Sequence, residues 1–292
     1  ELLFPPRRTL WHATCDNGHI RFTPAQAYPT PTAVIGARPC DLAGAAIQDR
    51  VFEGGAHRDP DYAARRRDLF VVAVNCTEAA PTCFCTSLGT GPAVTVGFDI
   101  ALTEILEPDR HIFVAEAGSA RGAELLDAVP HSPTTTEQIT SARHAVAKAA
   151  GSITRRLPTE GLPDLLAAHQ LAGRWNATAE RCLACGNCTQ VCPTCFCAST
   201  EDTQSLDGSE FEKARRWDSC FTLDFSYMGG HPVRASIGSR YRQWLTHKLS
   251  SWVEQFGTLG CVGCGRCIVW CPVGIDLTEE VSALRATESI HV

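Results

Sequence analysis

A run of four cysteines closed by proline occurs twice: Cys182-Leu-Ala-Cys185-Gly-Asn-Cys188-Thr-Gln-Val-Cys192-Pro193 and Cys261-Val-Gly-Cys264-Gly-Arg-Cys267-Ile-Val-Trp-Cys271-Pro272. Both read C-x2-C-x2-C-x3-C-P. No other feature constrains the fold as tightly, because three closely spaced thiolates force one short loop to wrap whatever they bind. Glycines at 186, 263 and 265 permit the positive φ angles such a loop needs. Its backbone N–H groups can then point at the bound group and offset negative charge there. The spacing is that of [4Fe–4S] ligands. The fourth cysteine of each run lies too far along the chain to close the same cube. Cys182, Cys185 and Cys188 are therefore expected to pair with Cys271, and Cys261, Cys264 and Cys267 with Cys192. Pro193 and Pro272 turn the chain away after each fourth cysteine.

A four-cysteine zinc site uses two C-x2-C pairs, not two runs of four each closed by proline. Cysteines two residues apart also bridge poorly as disulfides, because their side-chain vectors are badly placed. The doubled run is the ligand pattern of bacterial-type ferredoxins. Two clusters that share ligands must lie close together, as an electron wire requires and a lone structural cluster does not. Sixteen cysteines in 292 residues, with this spacing, point to a reducing compartment, the cytoplasm. There is no apolar run near the length of a membrane span, and no secretory signal. The chain opens on Glu1 without methionine, as a sequence lacking its first segment would. The formal net charge of -6 understates the acidity once clusters are bound, which argues against a nucleic-acid partner.

The fold class expected is α+β: an N-terminal α/β domain, a helical bridge, and a C-terminal ferredoxin-like domain for two [4Fe–4S] clusters with a long insertion. The boundaries fall at 1–133, 134–180 and 181–292. Thr32–Gly36 and Leu69–Val74 are short apolar runs rich in β-branched residues, as in buried parallel strands. Residues 41–52, 61–68 and 119–129 read as helices, and 93–98 and 111–116 as weaker strands. Pro130 to Pro133 mark a break. An alanine-rich amphipathic helix follows over 135–156, with Ile139, Val146, Ala150 and Ile153 on one side. The helical pattern resumes at 162–180. The two motifs are 68 residues apart (193–260), so the insertion must fold over the clusters or meet another subunit.

Four more cysteines, Cys40, Cys76, Cys83 and Cys85, lie in the N-terminal part. Cys40 and Cys76 each follow an expected strand, and ligands of open α/β sheets gather at the carboxyl ends of strands. With the loop Pro81-Thr-Cys-Phe-Cys85 they make a candidate third [4Fe–4S] site. The alternative is that they are buried small hydrophobes, as free cysteine often is. Pro-Thr-Cys-Phe-Cys recurs at 193–197; its Cys195 and Cys197, and the later Cys220, are expected to line a cluster rather than hold one. Arg234, Arg240, Arg242, His247 and Lys248 make a basic segment in the insertion, suited to charge compensation beside anionic clusters or to docking an acidic partner surface.

Residues outside the doubled motif narrow the picture. Arg38-Pro-Cys-Asp41, Asn75-Cys76, Cys83-Phe-Cys85 and Gly97-Phe-Asp-Ile100 resemble the N-terminal part of the β subunits of cytoplasmic NAD(P)-linked [NiFe] sulfhydrogenases. So do Cys192-Pro-Thr-Cys-Phe-Cys197, Arg216-Trp-Asp-Ser-Cys220, Gly229-Gly-His231, Arg240-Tyr-Arg242 and His247-Lys248 further on. The A subunit of anaerobic sulfite reductase is similar. The resemblance runs from about residue 30 to 285. It implies a non-catalytic electron-transfer subunit of an oxidoreductase complex. Such a subunit works between a flavin- and NAD(P)-binding subunit and either the small and large subunits of a [NiFe] hydrogenase or a sirohaem subunit.

The sequence carries no G-x-G-x-x-G between a strand and a helix. Arg181–Cys185 has the look of a nickel-ligand pair, but its cysteines fit the cluster motif. No flavin, nicotinamide or nickel is therefore expected on this chain. Three readings stay open from sequence: the hydrogenase relay, the equivalent sulfite- or polysulfide-reductase relay, and a stand-alone iron–sulfur redox protein.

Overall fold

The computed structural model describes residues 2–25, 30–108 and 110–288. The chain begins with an antiparallel hairpin, β1 (Arg7–Asp16) and β2 (His19–Pro24). Next come β3 (Thr32–Ala37), α1 (Pro39–Phe52), α2 (Pro60–Arg67), β4 (Leu69–Val74), β5 (Ile100–Glu107), β6 (Arg110–Ala117) and α3 (Ala120–Ala128). The strands β3, β4, β5 and β6 form one sheet in that order, parallel as far as β5 and antiparallel at β6. The expected strands near 32 and 69 are present and parallel. Residues 93–98 are not a strand. There the Val94 N–H donates to Asn75 Oδ1 (2.7 Å), and Gly97 takes φ +84°, so the backbone is spent on a loop. In this sheet the strand missed from sequence is β5, which follows directly.

Helix starts follow local chemistry. Pro39 opens α1, and the Asp41 carboxylate accepts from the Arg38 N–H at 2.9 Å. Asp59 caps α2 through the N–H groups of Asp61 and Tyr62, both at 3.0 Å. Helix α4 (Thr136–Ser152) begins with reciprocal bonds between Thr135 and Gln138 and packs on β5 and β6. The stretch 162–180 holds two short helices, α5 (Leu162–Ala168) and α6 (Arg174–Ala179), not one.

In the C-terminal part α7 (Asn187–Gln190) and α10 (Arg266–Val269) are single turns at equivalent places in the two motifs. Between them lie β7 (Ala198–Gln204), β8 (Glu210–Trp217), β9 (Tyr227–Met228), β10 (His231–Pro232), α8 (Ile237–Thr246), a π-helical turn His247–Ser251, and α9 (Trp252–Phe256). Helix α11 (Leu277–Glu288) closes the fold. The insertion folds over the cysteines, the first of the two roles expected of it, and it also reaches the N-terminal hairpin of the same chain. Its strands β7 and β8 join the N-terminal hairpin in a sheet of order β2-β1-β8-β7. Its helices cover the cysteines.

The main core includes Leu162, Leu166, Trp175, Tyr241, Leu245, Leu277 and Leu284, all buried. Phe84 from the N-terminal loop is buried in the same core, and Cys182, Cys188, Cys220, Cys261, Cys267 and Cys271 pack against its edge. Burying a side chain of this size contributes roughly 1.5–3 kcal/mol, so the cysteines sit on a firm apolar wall. Glu280, fully buried in α11, accepts from Thr178 Oγ1 (2.7 Å), from Arg181 (3.1 Å) and from both Arg174 nitrogens, which ties α6 to the core. Arg155 reaches the Pro81 carbonyl (3.4 Å) and the Asp276 carboxylate, joining bridge, N-terminal loop and C-terminal part.

Candidate iron–sulfur centres

The two motif loops share one backbone shape. Ala184 and Gly263, at equivalent positions, take φ +50° and +63°; Gly186 and Gly265 take +77° and +70°. These left-handed residues turn N–H groups onto sulfur. The Ala184 N–H donates to Cys182 Sγ at 3.4 Å, Gly263 to Cys261 Sγ at 3.5 Å, and Ile275 to Cys271 Sγ at 3.3 Å. Such donors suit thiolates that carry a shared negative charge.

The cysteines ring two cavities. One is lined by Cys182, Cys185, Cys188, Cys267 and Cys271; the other by Cys192, Cys261, Cys264 and Cys267. The fourth cysteine of each run thus faces the other run's three, and Cys267 borders both cavities. Among the described residues no three His, Cys, Asp or Glu side chains converge tightly enough to hold one metal ion. The sulfurs instead surround space, five around the first cavity and four around the second, which supplies the four thiolates each [4Fe–4S] cube needs.

The thiols need the metal to ionise. Burial pushes Cys261 and Cys40 up to about 12, Cys85 up to about 11, and Cys182, Cys264 and Cys76 up as well. Iron bound there displaces the proton outright. Cys192 goes the other way: a hydrogen bond from Cys195 and the Lys248 ammonium hold it well below the usual thiol value despite burial. Lys248 is 3% exposed. Its Nζ donates to Gly260 O (2.8 Å), Thr194 Oγ1 (3.0 Å) and Cys192 Sγ (3.2 Å). Burial works to lower its pKa, but the charges of Cys192, Cys195 and Cys261 outweigh that and hold it well above the ordinary value.

The rest of the basic segment divides. Arg240 is buried within electrostatic reach of Cys182. Arg242 donates to the Gln170 carbonyl (2.7 Å), a structural contact, and Arg234 lines a cavity beside Cys195.

The four N-terminal cysteines come together at the sheet's carboxyl edge. Cys76 lies within electrostatic reach of both Cys40 and Cys83, and Cys85 of Cys83 and Cys76. The Arg38 guanidinium lies within electrostatic reach of Cys76. This edge is pressed onto the second motif. The Phe84 N–H donates to Gly263 O (2.8 Å), Thr90 Oγ1 to Val262 O (2.6 Å), and Arg266 pairs with Asp41 at 2.6 Å. The fit is close enough that a Cβ on Gly265 would stand 2.2 Å from Thr82 O. No sequence signal forecast this contact. The buried Lys248 was legible only as one member of a basic stretch.

Fold and cysteine geometry together define a dicluster iron–sulfur protein, and residues 181–275 match the family described as "4Fe-4S dicluster domain". The chain is 34% identical over 255 residues to sulfhydrogenase 2 subunit beta of Pyrococcus furiosus, across 86% of this chain and 73% of that protein. It belongs to the family of sulfhydrogenase β subunits. No solved structure matches it. Among the described residues no helix is long and apolar enough to cross a membrane.

Proposed function

We propose that this chain relays electrons between a flavin- and NAD(P)-binding subunit and a [NiFe] hydrogenase module of a cytoplasmic complex, without catalysing either terminal reaction. The observation that carries this reading is the Cys267 thiol bordering both cysteine-lined cavities, because electrons pass only between closely adjacent centres. Cys182, Cys185, Cys188 and Cys271 hold one [4Fe–4S] cluster, and Cys261, Cys264, Cys267 and Cys192 the other. Cys40, Cys76, Cys83 and Cys85 hold a third. These clusters, when bound, supply one-electron transfer. The chain's residues position and tune them: Lys248 neutralises charge at Cys192, and Arg240 does so near Cys182. Flavin, nicotinamide and nickel reside on other subunits.

In this reading residues 1–133 carry the third site, 134–180 bridge, and 181–292 hold the paired clusters. The N-terminal hairpin is lent to the insertion's sheet. Exposed Leu183 of the first motif, with exposed Val269 and Trp270 of the second, make the contact face for a partner. Purified alone, the chain should accept electrons from a strong reductant yet oxidise neither NADPH nor hydrogen. Added to a complex lacking it, it should restore transfer between NADP(H) and the terminal site, with each partner's dye-linked partial reaction unchanged. NADPH oxidation by the isolated, flavin-free chain would contradict the proposal. Co-purification with a sirohaem chain instead of nickel-bearing subunits would redirect it to a sulfite-reducing complex.

A further inference from the structure

We propose that Cys195, Cys197 and Cys220 hold a further iron–sulfur cluster beside the second motif, with His247 as the fourth ligand; this rests on the relay reading above. The first support is register. In the β7–β8 hairpin Ala198 stands opposite Trp217, and beyond its base the Asp218 N–H donates to Cys197 O at 2.9 Å. Cys195 lies two residues before Cys197 and Cys220 two residues after Asp218, so both lie just beyond the hairpin's open end. Cys197 and Cys220 line the same cavity. The hairpin thus delivers three thiols from two strand ends to one place, as a ligand set requires.

These three thiols, His247 and Lys248 line one cavity of about 490 Å³. Among the described residues lining it, His247 is the one further side chain of a type that ligates iron. Its Nε2 meets Gln255 Oε1 at 3.1 Å, which leaves Nδ1 for metal.

Charge gives a second, independent support. Lys248 Nζ lies 3.2 Å from Cys192 Sγ and 3.6 Å from Cys195 Sγ. A buried ammonium needs anions around it, and this one stands between Cys192, the first motif's last cysteine that lines the second cavity, and Cys195 of the trio. Sequence repetition adds a third. Pro-Thr-Cys-Phe-Cys occurs at 81–85, where its cysteines gather with Cys76, and again at 193–197, where they gather with Cys220. In both copies the central phenylalanine anchors the loop: Phe84 is buried in the main core, and Phe196 meets Trp252 edge-on at 5.4 Å. Both pentapeptides touch the second motif's stretch, Thr82 and Phe84 against Gly263 and Gly265, and Thr194 against Gly260.

The full-length chain, reconstituted with iron and sulfide without air, tests this. The triple variant Cys195→Ser, Cys197→Ser, Cys220→Ser should lose about four irons and four sulfides per chain relative to the parent. The EPR signals of the clusters on Cys182 and on Cys261 should remain. Equal iron and sulfide in variant and parent overturns the proposal and leaves the relay reading standing. Loss of zinc in place of iron and sulfide overturns it too. A parent chain that takes up no iron at all contradicts the relay reading itself. His247→Cys covers the case in which the triple variant does not fold. It should keep the iron content while changing the Mössbauer and EPR signature of one cluster. Unchanged signatures for every cluster overturn the proposal.

Discussion

The two copies of the cysteine motif have the same loop backbone and opposite surroundings. In the first, Leu183 is 62% exposed and Cys185 is open to solvent; in the second, Val262 is 2% exposed and Gly263 and Gly265 are buried. The first leans on Ser219 of the insertion, with Ala184 half-buried against the main core. The second is clamped between the Thr82–Thr90 loop on one side and Lys248 on the other. Duplication supplied two equal sites, and packing has made them unequal. In the proposed relay, the more exposed first site is the one to exchange electrons with a partner and the second the one to pass them within the chain.

The largest expected effect tests which cysteine belongs where. Cys271→Ala should abolish the cluster built on Cys182, Cys185 and Cys188, and Cys192→Ala the one built on Cys261, Cys264 and Cys267. EPR of each reduced variant checks this. If each variant instead loses its own motif's cluster, ligation is not crossed.

Lys248→Met should separate the two centres electrically. Removing a buried positive charge disfavours the added electron, so the second cluster's potential should fall by about 60 mV or more, a tenfold change in its reduction equilibrium. The first cluster's potential should stay within error in a redox titration. A common shift in both would show that Lys248 does not distinguish them.

Glycine substitutions should sharpen the steric difference. Gly265→Ala adds a Cβ 2.2 Å from Thr82 O at a left-handed φ, whereas in Gly186→Ala the closest atom is Ser219 Oγ at 3.1 Å. We expect losses of about 3–5 kcal/mol for the former and about 1–2 kcal/mol for the latter, from backbone strain with and without overpacking. Anaerobic denaturation of both variants measures this. Smallest of all should be Ala184→Gly. Relief of left-handed strain and the added entropy of the unfolded chain nearly cancel, leaving a change within about 1 kcal/mol.

What the sequence disclosed follows from how local each signal is. The motif spacing is a covalent constraint, so the loops and the meeting of eight cysteines could be read directly. Cys40 and Cys76 were traceable because Thr32–Gly36 and Leu69–Val74 look like buried strands, and the cysteines follow their ends. Strand β2 is exposed along its whole length, and β7 reads Ala-Ser-Thr-Glu-Asp-Thr-Gln, so neither has an apolar alternation to betray it. Their sheet depends on Arg7–Asp16 meeting Glu210–Trp217, a pairing across most of the chain. Lys248 continues the buried helical stripe of Tyr241, Trp244 and Leu245, but a lysine there carries no apolar signal to reveal that it points inward.

The unequal exposure of the two clusters can be measured directly. A soluble, fast-relaxing paramagnetic chelate added to the reduced chain speeds the EPR relaxation of any cluster near solvent, and the Cys271 and Cys192 variants assign each signal. The cluster on Cys182, Cys185, Cys188 and Cys271 should respond strongly, and the one on Cys261, Cys264, Cys267 and Cys192 weakly. Equal enhancement of both, or a stronger response from the second, would contradict the division into an outer and an inner centre.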